Sequence, residues 1–231
     1  MKSLITLLFA LTMQAQTTTE ALHYLVRKPK IKATHPPVLF LLHGVGSNEK
    51  DLFSFADNLP DEYLIISARG SLTLGAGRYG WFNVEFKDGK PNMNFEEQET
   101  SRKLLIDFIG QMQQKFGFDA KQVYLCGFSQ GGIMSYSIAL TKPELIKGIA
   151  VMSGRLLPEI KPFAAPDDKL KRLDIFISHG TADAVLTVDW ARAAKTYLEE
   201  HGLKPQYHEY AGAGHQINQA MFTDLLAWLK R

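Results

Sequence analysis

The sequence predicts an α/β fold built on an open, doubly wound and mostly parallel sheet with helices on both faces. Three observations carry this. Apolar runs of strand length alternate with longer segments of helical period. Several strand runs are apolar throughout, such as Val38-Leu39-Phe40-Leu41-Leu42, as strands covered on both faces are. The chain has 231 residues, 45% hydrophobic and 22% charged, which suits one globular domain with a sizeable core.

Taken in order, the strand candidates are Leu22–Arg27, Val38–Leu42, Tyr63–Ala68, Val123–Gly127, Gly148–Met152, Ile175–Ser178 and Gln206–Tyr210. The helix candidates are Glu49–Asn58, Glu96–Phe116, Gln130–Leu140, Asp189–His201 and Gln216–Lys230. In the second of these, Leu104, Leu105, Phe108, Ile109 and Met112 recur at helical spacing. Ala220, Met221, Leu225, Trp228 and Leu229 do so in the last. Two segments break the alternation. Gly70–Asn94, rich in glycine and aromatic residues, reads as a long loop with a short hairpin around Asp88-Gly89. Leu156–Arg172, with three prolines, reads as a second loop, too short for a large cap domain.

Met1–Gln16 has the layout of a secretory signal peptide: Lys2, an apolar stretch over Ser3–Met13, and a small residue, Ala15, near the exit. That stretch is shorter than the roughly 20 apolar residues that span a bilayer. Export to the periplasm or medium is therefore expected, with residues 17–231 as a single mature domain and no stable membrane anchor. The formal net charge is +2 with both signs mixed, which gives no reason to expect a nucleic-acid partner. The lone cysteine, Cys126, excludes an intramolecular disulfide. Oligomeric state is not readable from the sequence.

The chemistry centres on residues 127–131, Gly-Phe-Ser-Gln-Gly. This G-x-S-x-G pattern follows an apolar strand run and opens a helical run, the strand–turn–helix setting of a nucleophile elbow. A sharp turn lifts the Ser129 hydroxyl above the sheet, and the helix that follows aims its N-terminal dipole at the same point. In folds that use this elbow, the chain order is serine, acid, histidine. Four histidines lie downstream. His201 ends a helix, His208 sits inside a strand pattern, and His179 comes too early to follow the acid. His215 lies in a loop between the last strand and the last helix, where a base can hang over the sheet. For the acid, Asp183 follows a strand, whereas Asp174 lies at the wrong end of it and Asp189 reads as a helix cap.

These residues predict acyl transfer through a serine nucleophile, with His215 as base and Asp183 fixing the imidazole tautomer. Activity is then expected to fall below a pH of about 6.5. The oxyanion is expected at the backbone N–H of Gln130 and at a donor in the glycine-bearing loop Leu42-His43-Gly44-Val45-Gly46.

Four ordered segments resemble the phospholipase/carboxylesterase family, which includes acyl-protein thioesterases: Leu41–Asn48, Gly127–Gly132, His179–Asp183 and Gly214-His215. Arg69-Gly70 through Gly77–Phe82 is similar to a further family segment. The resemblance spans Leu22 to Arg231. It implies an α/β-hydrolase fold, no cofactor and a small-molecule ester as substrate. It also implies Ser129, Asp183 and His215 as the triad, the N–H groups of Val45 and Gln130 as oxyanion donors, and Trp81 with the Leu72–Leu74 loop as the acyl pocket. Ala184 and Thr187 stand where relatives often have proline, and Gln216 follows the histidine where other residues are frequent.

Other signals carry less. Gly75–Gly80 fits G-x-G-x-x-G but neither follows a strand nor opens a helix, so it reads as a loop. Cys126 reads as a small core residue, and His43 as a side chain bonding backbone near the oxyanion loop. No metal-ligand spacing is present in the motifs. The competing reading is a binding protein that keeps the fold without chemistry. The intact serine, acid, histidine and glycine set argues against it.

Overall fold

The computed structural model describes residues 20–87 and 90–231, with the side chains of residues 86–92 left aside. The expected signal peptide, Met1–Gln16, and the Asp88-Gly89 turn lie outside the described residues.

Eleven strands are named along the described chain. β1 (Tyr24–Arg27), β2 (Val38–Leu42) and β3 (Leu64–Ala68) come first. β4 (Leu72–Gly75), β5 (Arg78–Gly80), β6 (Val84–Lys87) and β7 (Lys90–Met93) follow. β8 (Val123–Phe128), β9 (Gly148–Met152), β10 (Asp174–Gly180) and β11 (Gln206–Tyr210) complete the set. The helices are α1 (Lys50–Phe53), α2 (Phe95–Phe116), α3 (Gln130–Thr141), α4 (Asp167–Leu170), α5 (Val188–Glu200) and α6 (Gln219–Leu229).

Seven strands form the central sheet in the order β1-β3-β2-β8-β9-β10-β11. β1 pairs antiparallel with β3, and every other neighbour is parallel. The continuous apolar runs explain this. In β2, Val38, Phe40 and Leu42 point into one core, with Phe108 and Met112 of α2 and Ile138 of α3. Leu39 and Leu41 point into the other, with Leu52 of α1 and Met221, Leu225 and Trp228 of α6. Alternate residues serve opposite faces, so a strand roofed on both sides reads as a nearly continuous apolar run.

Two of the helices depart from the sequence reading for local reasons. The first expected helix divides into α1 and a 3₁₀ turn at Ala56–Asn58. The Ser54 hydroxyl bonds the Asp51 carbonyl at 2.6 Å there, competing with helical continuation. The last helix starts at Gln219, because the Asn218 side chain accepts the Met221 N–H at 2.9 Å and caps it. Residues 70–94 hold two antiparallel strand pairs: β6–β7 flanks Asp88-Gly89, where a short hairpin is expected, and β4–β5 stands where the sequence reads as loop. Residues 156–172 likewise hold a 3₁₀ segment, Pro158–Phe163, and α4.

Candidate active site

Ser129 is the single residue between β8 and α3, with φ of 54° and ψ of −116°. Positive φ is costly for a residue with a Cβ, by about 1–3 kcal/mol, and persists only where the surroundings enforce it. Here the Ser129 N–H donates to the Met152 carbonyl of β9 at 2.9 Å, and the Ser129 carbonyl accepts from Ile133 at 3.1 Å. Gly131 makes the turn possible, because a side chain there would collide with the Leu42 carbonyl oxygen of β2.

Asp183 follows the carboxyl end of β10 and His215 follows that of β11, which places both over the same sheet edge as Ser129. The three side chains meet. His215 Nε2 lies 2.9 Å from Ser129 Oγ, and His215 Nδ1 lies 2.7 Å from Asp183 Oδ2. A carboxylate only accepts, so the Nδ1–H donates to Asp183 and leaves Nε2 free to accept the serine hydroxyl. Asp183 is 4% exposed. Its other oxygen accepts the backbone N–H groups of Val185 and Leu186, each at 2.9 Å. Phe128 packs against the His215 ring with centroids 4.9 Å apart.

The loop after β2 is held from several sides. The buried His43 accepts the Gly70 N–H on Nε2 at 2.9 Å, so its Nδ1–H donates to the Gly44 carbonyl at 2.7 Å. Burial pushes its pKa down and keeps it neutral. Gly46 N–H donates to the Tyr79 carbonyl at 2.7 Å, tying the loop to β5. The N–H groups of Val45 and Gln130 form no hydrogen bond to any described group.

A cavity of about 270 Å³ opens beside Ser129. Leu74, Phe82, Ile133 and Leu186 form apolar walls, and Val45 and Gln130 also line it. Of the expected pocket residues, Leu74 reaches this cavity. Trp81 and Leu72 do not, which corrects the sequence reading: they line a separate surface cleft with Ser101 and Leu104 of α2. Trp81 is 1% exposed, and its indole N–H donates to the His43 carbonyl at 2.9 Å. A buried indole needs that acceptor, and the acceptor is a carbonyl of the loop after β2 rather than a group lining the cavity.

The sequence reading missed two supports. The Gln130 side chain accepts the Trp81 N–H and donates to the Phe82 carbonyl, both at 2.7 Å. The fully buried His179 donates its Nε2–H to the Leu186 carbonyl at 2.6 Å and sits 3.3 Å from Asp183 Oδ2. The polar side chain beside the elbow serine, and a histidine four residues before the acid, are the signals that pointed there. Cys126 is buried, and burial pushes its thiol up to about 12, so it is no nucleophile at neutral pH.

The sheet and its helices match solved α/β-hydrolase structures. A carboxylesterase of Bacillus cereus superposes with a TM-score of 0.78 at 24% identity, covering 90% of this chain and 93% of that one. A carboxylesterase of Mesorhizobium loti also gives 0.78, at 22% identity over 92% and 96%. In sequence, Carboxylesterase SOBER1 of Arabidopsis thaliana is 29% identical over 160 residues, 68% of this chain and 69% of that protein. Acyl-protein thioesterase 1 of Kluyveromyces lactis is 27% identical over 171 residues, 72% of each. The profile described as Phospholipase/Carboxylesterase matches residues 23–231. The chain has the α/β-hydrolase fold and belongs to the phospholipase/carboxylesterase family.

Proposed function

We propose that the chain hydrolyses carboxylic esters of short or medium acyl groups through a covalent intermediate on Ser129. The observation that carries this reading is the unbroken chain Asp183–His215–Ser129, with contacts of 2.7 and 2.9 Å. His215 Nε2 takes the hydroxyl proton as Ser129 Oγ attacks the carbonyl carbon. The oxyanion meets the N–H groups of Val45 and Gln130, which donate to no other described group, and each such donor lowers the barrier by about 3 kcal/mol. Asp183 holds the Nδ1–H and offsets the imidazolium charge. The new proton on Nε2 goes to the leaving oxygen, and the alcohol departs. A water then gives a proton to Nε2 and attacks the acyl carbon, and its collapse returns the proton to Ser129 with release of the acid.

The apolar walls and modest volume of the cavity favour a small acyl chain over a long one. Relatives named carboxylesterase and acyl-protein thioesterase support oxygen esters and thioesters as the substrate class. Export by removal of Met1–Gln16 is part of the proposal and rests on the sequence alone. A fluorophosphonate probe tests the chemistry. Labelling of the native chain, lost in Ser129→Ala, is the expected result, and a folded chain that resists the probe overturns it. Intact mass of the secreted protein tests the processing.

A further inference from the structure

The carboxyl ends of β9 and β10 concentrate unspent polar groups. Of the seven buried side-chain nitrogen and oxygen atoms without a hydrogen-bond partner among the described residues, four belong to Ser153, Arg155, Ser178 and His179. A trapped water satisfies a hydroxyl or an imidazole nitrogen. It does not balance a buried guanidinium, whose charge is costly unless paired.

Arg155 is 7% exposed, its Nε is shielded, and the side chain has no hydrogen bond or ion pair with any described residue. Glu159 supplies a favourable field from the next turn without an ion pair, and burial still lowers the arginine pKa. The guanidinium carbon sits 4.0 Å from the centroid of the Trp190 ring. A ring at that distance takes up no N–H donor, so the guanidinium keeps its donors unspent, and a planar carboxylate is the group they fit.

Along the chain, both residues follow segments that build the active site. Arg155 is three residues beyond Met152, whose carbonyl holds the Ser129 N–H. Trp190 lies in the first turn of α5, which follows the turn that carries Asp183, Val185 and Leu186. Trp190 is 36% exposed, so the pair reaches solvent on its side. We propose that Arg155, stacked on Trp190, is a subsite for a carboxylate borne by the ester substrate. This extends the esterase reading and rests on it for the identity of the ligand.

The test pairs each charged ester with a neutral counterpart. For a carboxylate on the acyl side, mono-p-nitrophenyl glutarate is compared with p-nitrophenyl butyrate. For one on the alcohol side, p-butyryloxybenzoate is compared with its methyl ester. Arg155→Met keeps the aliphatic packing and removes the fork. The expected result is a kcat/KM loss about tenfold greater for the charged member of one pair, the size of one charge-assisted hydrogen bond, with Arg155→Lys between wild type and Met. The pair affected tells which side of the ester bears the charge. Equal losses within both pairs overturn the subsite. Should Arg155→Met fail to fold by thermal melting, the native enzyme decides: preference for the neutral ester in both pairs overturns it. Calorimetry of glutarate with Ser129→Ala separates the two claims, because it needs no turnover. Binding through Arg155 in a chain that hydrolyses nothing sinks the esterase reading alone, whereas a working esterase indifferent to these anions sinks the subsite alone.

Discussion

The side-chain oxygen of Gln130 accepts the backbone N–H of Trp81 at 2.7 Å, so the residue beside the nucleophile also fastens the segment that forms the far wall of the cavity. Its amide nitrogen closes the link on the Phe82 carbonyl. Gln130→Ala leaves that N–H and carbonyl unpaired in a buried site, at a cost of about 1–3 kcal/mol each. The expected outcome is a lower denaturation midpoint together with a flatter dependence of kcat/KM on acyl length, read with a series of p-nitrophenyl esters.

Asp183 holds His215 in one tautomer. In Asp183→Asn, the oxygen that accepts from Val185 and Leu186 is retained, so the new NH₂ faces His215 Nδ1. Nδ1 then accepts, the proton moves to Nε2, and the base is blocked. A fall in kcat of about three to four orders of magnitude follows, with little change in melting temperature. Steady-state kinetics and a melting curve on the same preparation check both halves.

Ile133 sits on the first turn of α3 and lines the cavity. Ile133→Phe fills part of it. Hydrolysis of acetyl esters is expected to persist while butyryl and longer esters lose about tenfold or more in kcat/KM, since a lost or clashing methylene is worth about 1–3 kcal/mol. Equal losses across the series would show that acyl chains lie elsewhere.

Glu49 is 1% exposed and receives two bonds from Arg69, at 2.6 and 2.7 Å. Those bonds hold its carboxyl down at about 2, against an ordinary value of 4.5. Because the folded value is the lower one, the stabilisation is complete above about pH 4.5 and is lost as pH falls toward 2. With its arginine partner partly open to solvent, its size is on the order of 1–3 kcal/mol. Glu49→Gln should therefore be less stable than the native chain at pH 7, and the gap should close between pH 4.5 and 2. Urea midpoints across that range measure it.

Sequence reading reached the sheet because burial on both faces leaves no room for ambiguity: Val38–Leu42 and Gly148–Met152 match the strands residue for residue. The three polar residues of the proposed triad were legible from motif and chain order. The pocket was not. β4 and β5 are only four and three residues long, and their register shifts between Thr73 and Gly75. Over such a stretch, alternation does not say which leucine meets the cavity. Trp81 was misplaced for a different reason. The resemblance put it in the pocket, but its N–H needs an acceptor, and that acceptor is a backbone carbonyl of the His43 loop, which residue types do not reveal. The partners of Gln130 and His179 are backbone groups too, and for the same reason escaped notice.

The turn from Asp183 to Leu186 does two jobs with one stretch of backbone. Its amides grip the acid, and its side chains wall the cavity. A library randomised at Val185 and Leu186 would thus shift turnover whenever it shifts preference, because any change of backbone path there moves the carboxylate. Leu74 and Ile133 line the same cavity from β4 and α3, elements separate from that turn. Engineers seeking a new acyl range at full speed have their freedom at those two positions.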